Sequence, residues 1–164
     1  MITLIYCKVK MLQLGAPAPD FSLFDADMEL FKLSGVRGKN IVLYFYPKDD
    51  TPGCTVEAIE FSDHEEDFAR YNTLIVGVSK DDCLSHATFR DKHGLAITLL
   101  ADEDRKVCEK YKVWQEKEKD GIKKMGIVRS TFIIDAKGVL RHMQYGVLAK
   151  GHALEILNII KTLD

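Results

Sequence analysis

Apolar and polar positions along the 164-residue chain follow two periods in turn. Short runs rich in β-branched and aromatic residues, IVLYFY (41–46), LIVGV (74–78), STFIID (130–135) and VLRHMQY (139–145), read as strands. Between them apolar positions recur at the 3.6-residue spacing of a helix, which predicts helices over 54–71, 83–93, 104–112 and 152–162. Strands that alternate with helices specify an α/β domain. Nearer the N-terminus, DFSLFDADMELFKL (20–33) reads as two short strands around a polar turn, and DAKG (135–138) as a hairpin turn between the last two strands. The final pair is therefore expected to be antiparallel, and the earlier strands, joined through helices, parallel. The charged stretch WQEKEKDGIKKMG (114–126) has no firm period and reads as a solvated loop, with an exposed strand as the lesser reading. No internal repeat or low-complexity tract is present.

Composition narrows the function. With 46% apolar residues the chain can bury the core of one domain. A net charge of −2, with acidic and basic residues interspersed, offers no cationic surface for nucleic acid or an anionic membrane, so a small neutral or weakly charged ligand is the better expectation. The opening MITLIYCKVKM is too short for a membrane span or a signal segment, and the protein is expected to be soluble and cytoplasmic. Met11 offers a second start, which would make residues 1–11, with Cys7, a dispensable extension before a single domain over 12–164. Cys7, Cys54, Cys83 and Cys108 form no CxxC, and the five histidines show no HxxxH or HExxH spacing, so neither a metal site nor a local dithiol is expected. In a reducing cytosol these thiols stay free unless chemistry oxidises them.

One cysteine has a marked setting. Pro47 lacks the N–H a central strand needs, and the DDTPG that follows is turn chemistry, so the strand ends there and a helix begins near Cys54. Cys54, Ala58, Phe61, Glu65 and Phe68 fall on one face of that helix, with Glu57, Glu60, Asp63 and Glu66 on the other. Unpaired N–H groups and the positive end of the helix dipole stabilise an anion in the first turn, where a thiolate would form. A free cysteine in a helix more often packs as a small hydrophobe. Here the preceding turn favours reactivity, because the Thr51 hydroxyl can donate to the sulfur and Pro47 can exclude water without offering a competing donor.

Pro47, Thr51 and Cys54 match the PxxxTxxC motif of the peroxiredoxins, and YFYPKDDTPGCTVEA (44–58) resembles the Q-type branch, the bacterioferritin comigratory proteins. GAPAPDFSL (15–23), GVSKDD (77–82), GIVRSTFIID (126–135) and GHALEIL (151–157) are similar to words of that family, so the likeness runs over nearly the whole chain. The resemblance implies a thioredoxin-like fold of peroxiredoxin type with an N-terminal β-hairpin addition, and peroxide reduction without a cofactor. It assigns Cys54 as the nucleophile, Thr51 as its hydroxyl partner, Pro47 as the shield and Arg129 as the guanidinium that completes the pocket. Glu57 could orient Arg129 or stand as a solvated helix glutamate, and Tyr46 could line the pocket or serve only as a strand aromatic.

Recycling is where the chain departs from its relatives. Oxidation leaves Cys54 as a sulfenic acid that must condense with another thiol. The family places that thiol five residues on, here Ile59, or on the helix after the next strand, where SHATFRDKHG carries Arg90. Cys83 and Cys108 read as inward-facing helix positions with packing roles. The expected function is a one-cysteine thiol peroxidase for hydrogen peroxide and small organic hydroperoxides, reduced by thioredoxin, glutaredoxin or a low-molecular-weight thiol. A monomer is expected, with a dimer as the alternative. The rival readings are a two-cysteine enzyme resolved by Cys83, Cys108 or Cys7, and a thioredoxin-like binding or chaperone module with an inert Cys54. A dithiol oxidoreductase fits poorly, since CxxC is absent and all four prolines lie at or before Pro52, so none stands just ahead of STFIID.

Overall fold

The computed structural model describes residues 12–163, so Cys7 and the 1–11 extension lie outside the described residues. The chain runs β1 (Ser22–Asp25), β2 (Leu30–Lys32), β3 (Asn40–Phe45), α1 (Pro52–Asp63), α2 (Glu65–Arg70), β4 (Thr73–Ser79), α3 (Cys83–His93), β5 (Thr98–Ala101), α4 (Lys106–Lys110), β6 (Trp114–Lys119), β7 (Ile122–Ile127), β8 (Ser130–Ile134), β9 (Leu140–Tyr145) and α5 (His152–Ile160). Seven strands form one sheet in the order β2-β1-β5-β4-β3-β8-β9. Pairs β3/β4 and β4/β5 are parallel, while β3/β8, β8/β9, β1/β2 and β1/β5 are antiparallel. This is the thioredoxin-like α/β architecture with an N-terminal hairpin.

The central strand β3 is apolar at nearly every position because both of its faces are covered. Ile41, Leu43 and Phe45 point into a core that includes Cys108, Tyr111 and Phe132. Val42, Tyr44 and Tyr46 point to the other face, into a core that includes Cys54, Phe61, Phe68, Phe89 and Ile156. The two-residue period of the strand thus puts Cys54 and Cys108 on opposite sides of the sheet. On the Cys54 side, α5 buries Ala153, Ile156, Leu157 and Ile160, the i, i+3, i+4, i+7 stripe of an amphipathic helix.

Four elements differ from the sequence expectation. The helix expected over 54–71 is two helices that meet at His64, which leaves helical geometry at ψ 7° while its N–H still bonds Glu60 and Phe61 carbonyls. The 104–112 helix contracts to Lys106–Lys110, entered through Arg105 at φ 65°. TLLA (98–101) is a strand whose brevity hid it from the apolar pattern. The 114–126 stretch is a hairpin, registered from Trp114↔Ile127 to Lys119↔Ile122. Its turn residues Asp120 and Gly121 both have positive φ, 53° and 77°, which is the primed turn an Asp-Gly pair favours. The exposed strands carry no apolar alternation, so the turn dipeptide was the available signal.

Candidate active site

Pro47 ends the central strand as expected: Tyr46 N–H still bonds the Val78 carbonyl at 3.1 Å, and the chain then turns away from the sheet. Thr51 is the N-cap residue of α1 and Pro52 occupies its first turn, where a missing N–H does no harm. The helix therefore starts just before Cys54 rather than at it. Cys54, 2% exposed, stands among the first-turn residues whose N–H groups have no intrahelical acceptor.

Topology brings Arg129 to the same place. Strand β8 runs antiparallel to β3 with Ser130 opposite Phe45, so the residue before β8 lies where the chain leaves β3. From there one Arg129 nitrogen, Nη2, donates to Cys54 Sγ at 3.3 Å and the other, Nη1, donates to Glu57 Oε1 at 2.7 Å. Gly53 makes room for it, since a Cβ there would meet Nη2 at 3.1 Å. Burial weighs against the guanidinium charge, but Glu57 and the Cys54 sulfur outweigh it and hold the Arg129 pKa above its ordinary value. Lys117, on β6, donates to the Ile127 carbonyl at 2.9 Å; burial and then Arg129 hold its pKa low, with the Cys54 sulfur pulling the other way.

Glu57 is not on a solvated face. It is fully buried, because Arg129 and the sheet end cover the first two turns of α1. Burial pushes its carboxyl up to about 7 while Arg129 pulls it down, and its Oε2 has no partner. The Tyr44 hydroxyl, also without a partner, is held neutral by burial and by the nearby charges of Glu57 and Cys54.

One further expectation changes. The Thr51 hydroxyl donates to the Lys48 carbonyl at 2.9 Å and closes its own turn instead of reaching the sulfur. Tyr46 is buried beside Cys54 in the same core, but its hydroxyl points to Asp49 Oδ1 at 2.6 Å. Asp49, which no spacing in the sequence marks, also accepts from Ser85 Oγ and pairs with His86 Nδ1, both at 2.8 Å. The adjacent acids Asp49 and Asp50 inside the 47–51 turn were the one available hint.

The other thiols divide. Cys108 is fully buried in the opposite core, where burial and then Asp102 drive its pKa far up. Cys83 opens α3 and is only half-buried, not inward-facing, because the inward positions of α3 are His86 and Phe89. Burial, Glu103, Asp25 and Asp82 all raise its pKa. Arg90 ties α3 to the β1–β2 turn through Asp27 at 2.9 Å.

Residues 14–143 match the AhpC/TSA family. The chain belongs to that family. It is 45% identical to peroxiredoxin Bcp of Bacillus subtilis over 93% of this chain and 98% of that one, and 39% identical to peroxiredoxin Bcp of Escherichia coli over 92% and 96%. Among solved structures, the Xanthomonas campestris bacterioferritin comigratory protein, described for its alkyl peroxide reduction, superposes with a TM-score of 0.84 at 35% identity over 92% of this chain and 96% of that one. The chain is thus a peroxiredoxin of the Q-type branch, a thiol peroxidase. No helix among its described residues is long and apolar enough to cross a membrane.

Proposed function

We propose that this peroxiredoxin reduces hydrogen peroxide and small organic hydroperoxides through Cys54 by a one-cysteine mechanism. The observation that carries the reading is the guanidinium of Arg129, bonded at once to the Cys54 sulfur and to the buried Glu57. A permanently charged, oriented fork at a helix start holds the sulfur and leaves N–H groups facing the reacting oxygens. The thiolate attacks the terminal oxygen of the hydroperoxide, the S–O bond forms as the O–O bond breaks, and the departing alkoxide, or hydroxide from hydrogen peroxide, takes a proton from solvent to leave as an alcohol or as water. First-turn N–H groups and Arg129 stabilise the charge that develops on that oxygen. The Thr51 hydroxyl joins them by leaving the Lys48 carbonyl, and Pro47 shields the thiolate.

The sulfenic acid is then attacked by an external thiol, water departs, and a second thiol releases Cys54 as the reductant becomes a disulfide. Thioredoxin, glutaredoxin or a cytoplasmic low-molecular-weight thiol supplies both. An external reductant is favoured because the sheet separates Cys108 from Cys54, and burial and then the acidic charges around Cys83 disfavour its thiolate. The test is peroxide consumption by Cys54→Ser with dithiothreitol as reductant. Turnover should disappear, since a serine hydroxyl is a far weaker nucleophile at neutral pH; turnover at the wild-type rate would refute the assignment.

A further inference from the structure

The polar cluster around Asp49 touches neither the sulfur nor Arg129, yet it holds the loop that carries Pro47 and Thr51. Three segments converge on it: the loop, the Ser79–Asp81 end of β4 and the first turn of α3. The Asp49 side chain receives the Tyr46, Ser85 and His86 groups, and its N–H donates to Asp81 Oδ2 at 2.8 Å, which also accepts from Ser79 Oγ at 2.6 Å. His86 has no solvent exposure. Its Nε2 lies 2.8 Å from the Leu100 carbonyl, which can only accept, so that nitrogen carries a hydrogen. The contact from Nδ1 to Asp49 then requires a second hydrogen between them, which ties the two buried side chains together.

Ligating atoms of Asp49, Asp81 and His86 lie within 4.8 Å of one another, a spacing that could suit a metal. Each is already engaged by a protein hydrogen bond, so the cluster is complete without an ion. The neighbouring Asp50 also bonds α3, through Lys92 at 2.6 Å and His93 at 2.9 Å, but these contacts face solvent and hold weakly. The buried Asp49–His86 pair is the firm attachment.

We propose that Asp49 and His86 act as one unit of positioning residues for the peroxide reaction. They lock the 47–51 loop against α3, so that the Thr51 hydroxyl meets the peroxide in line with Cys54. The inference rests on the peroxidase reading of Cys54. It separates two supports of the site. Arg129 and Glu57, which hold the sulfur, come from the β7–β8 junction and from α1, whereas the donors of the loop are held from α3. Loss of the pair should therefore slow attack on peroxide without depriving the sulfur of its guanidinium.

Two rates at Cys54 read the difference in the full-length protein. Oxidation by hydrogen peroxide needs both supports, and alkylation by iodoacetamide needs the thiolate alone. Each is followed by quenched mass spectrometry of the Cys54 peptide in wild type, His86→Gln, Asp49→Asn and the double variant, with circular dichroism to establish folding. Each single substitution should lower the oxidation rate by about 10²-fold, the scale of a displacement of about 1 Å in the site. Alkylation should change by less than about threefold, and the double variant should fall no further than the slower single one, because the two residues act together. Asp49→Asn keeps the side-chain shape and carries the test if His86→Gln does not fold. Oxidation near the wild-type rate in a folded variant, an equal fall in both rates, or multiplied effects in the double variant would each overturn the proposal. A wild-type Cys54 inert to peroxide would overturn the peroxidase reading and the latch with it, whereas reactive wild type with equally reactive variants overturns the latch alone.

Discussion

Replacing Glu57 by glutamine tests the electrostatics beneath the nucleophile. Glu57 is fully buried, with one carboxylate oxygen on Arg129 and the other unpartnered. Burial lifts its pKa from 4.5 to about 7. The folded protein therefore keeps a proton there that the unfolded chain releases, and stability falls with pH wherever the native state binds more protons. The contribution of this proton is fully present below about pH 4.5 and is lost as pH rises through about 7. At about 1.4 kcal/mol for each pKa unit, the shift corresponds to roughly 3 kcal/mol across that window. Glutamine keeps the volume and a carbonyl oxygen for Arg129 but does not titrate. Urea unfolding of both proteins between about pH 4.5 and pH 8 measures the difference. Wild type should lose roughly 3 kcal/mol relative to Glu57→Gln up to pH 7, and the two curves should run parallel above it. Parallel curves through the whole window would refute the reasoning, because Arg129 would then hold the carboxylate ionised throughout.

Arg129→Ala should lower the rate of Cys54 oxidation by peroxide on the order of 10²-fold, the scale of losing one donor to a developing anion, as read by stopped-flow kinetics. An unchanged rate would make Arg129 a structural partner of Glu57 only. Gly77→Ala should destabilise the fold by about 1–3 kcal/mol, because a Cβ there would meet the Tyr44 ring at 2.7 Å and that ring is already stacked on Phe61 at 4.8 Å. A shift in the urea midpoint at constant slope checks it. The Cys7→Ser, Cys83→Ser, Cys108→Ser triple variant should keep most of its turnover with dithiothreitol. Peptide mapping of peroxide-treated wild type should find sulfenic acid at Cys54, and a stoichiometric Cys54–Cys83 linkage would point instead to a two-cysteine enzyme.

Patterns of close range were legible without coordinates. The apolar runs at 41–46 and 74–78 are strands because both of their faces are buried, the Asp-Ala-Lys-Gly turn has few conformations open to it, and Pro47 with the turn residues after it fixes where a strand stops and a helix begins. The helix at 83–93 falls on its predicted bounds because Asp82 caps it through Ser85 N–H and Gly94, at φ 61°, closes it. These are local choices of backbone geometry, and local sequence decides them. What needed tertiary structure was every role set by distant neighbours. Glu57 reads as polar from its spacing, and only the arrival of Arg129, 72 residues later, makes it a buried carboxyl. Thr51 could address the sulfur or its own turn, and backbone geometry chose the Lys48 carbonyl. Cys83 and Cys108 look alike as helix cysteines, yet one lies half-buried at a helix start and the other across the sheet from Cys54. Asp49 and His86 stand 37 positions apart and carry no shared pattern. Their pairing arises because parallel β3 and β4 bring the ends of two strand–helix units together, a consequence of sheet order that local periodicity does not encode.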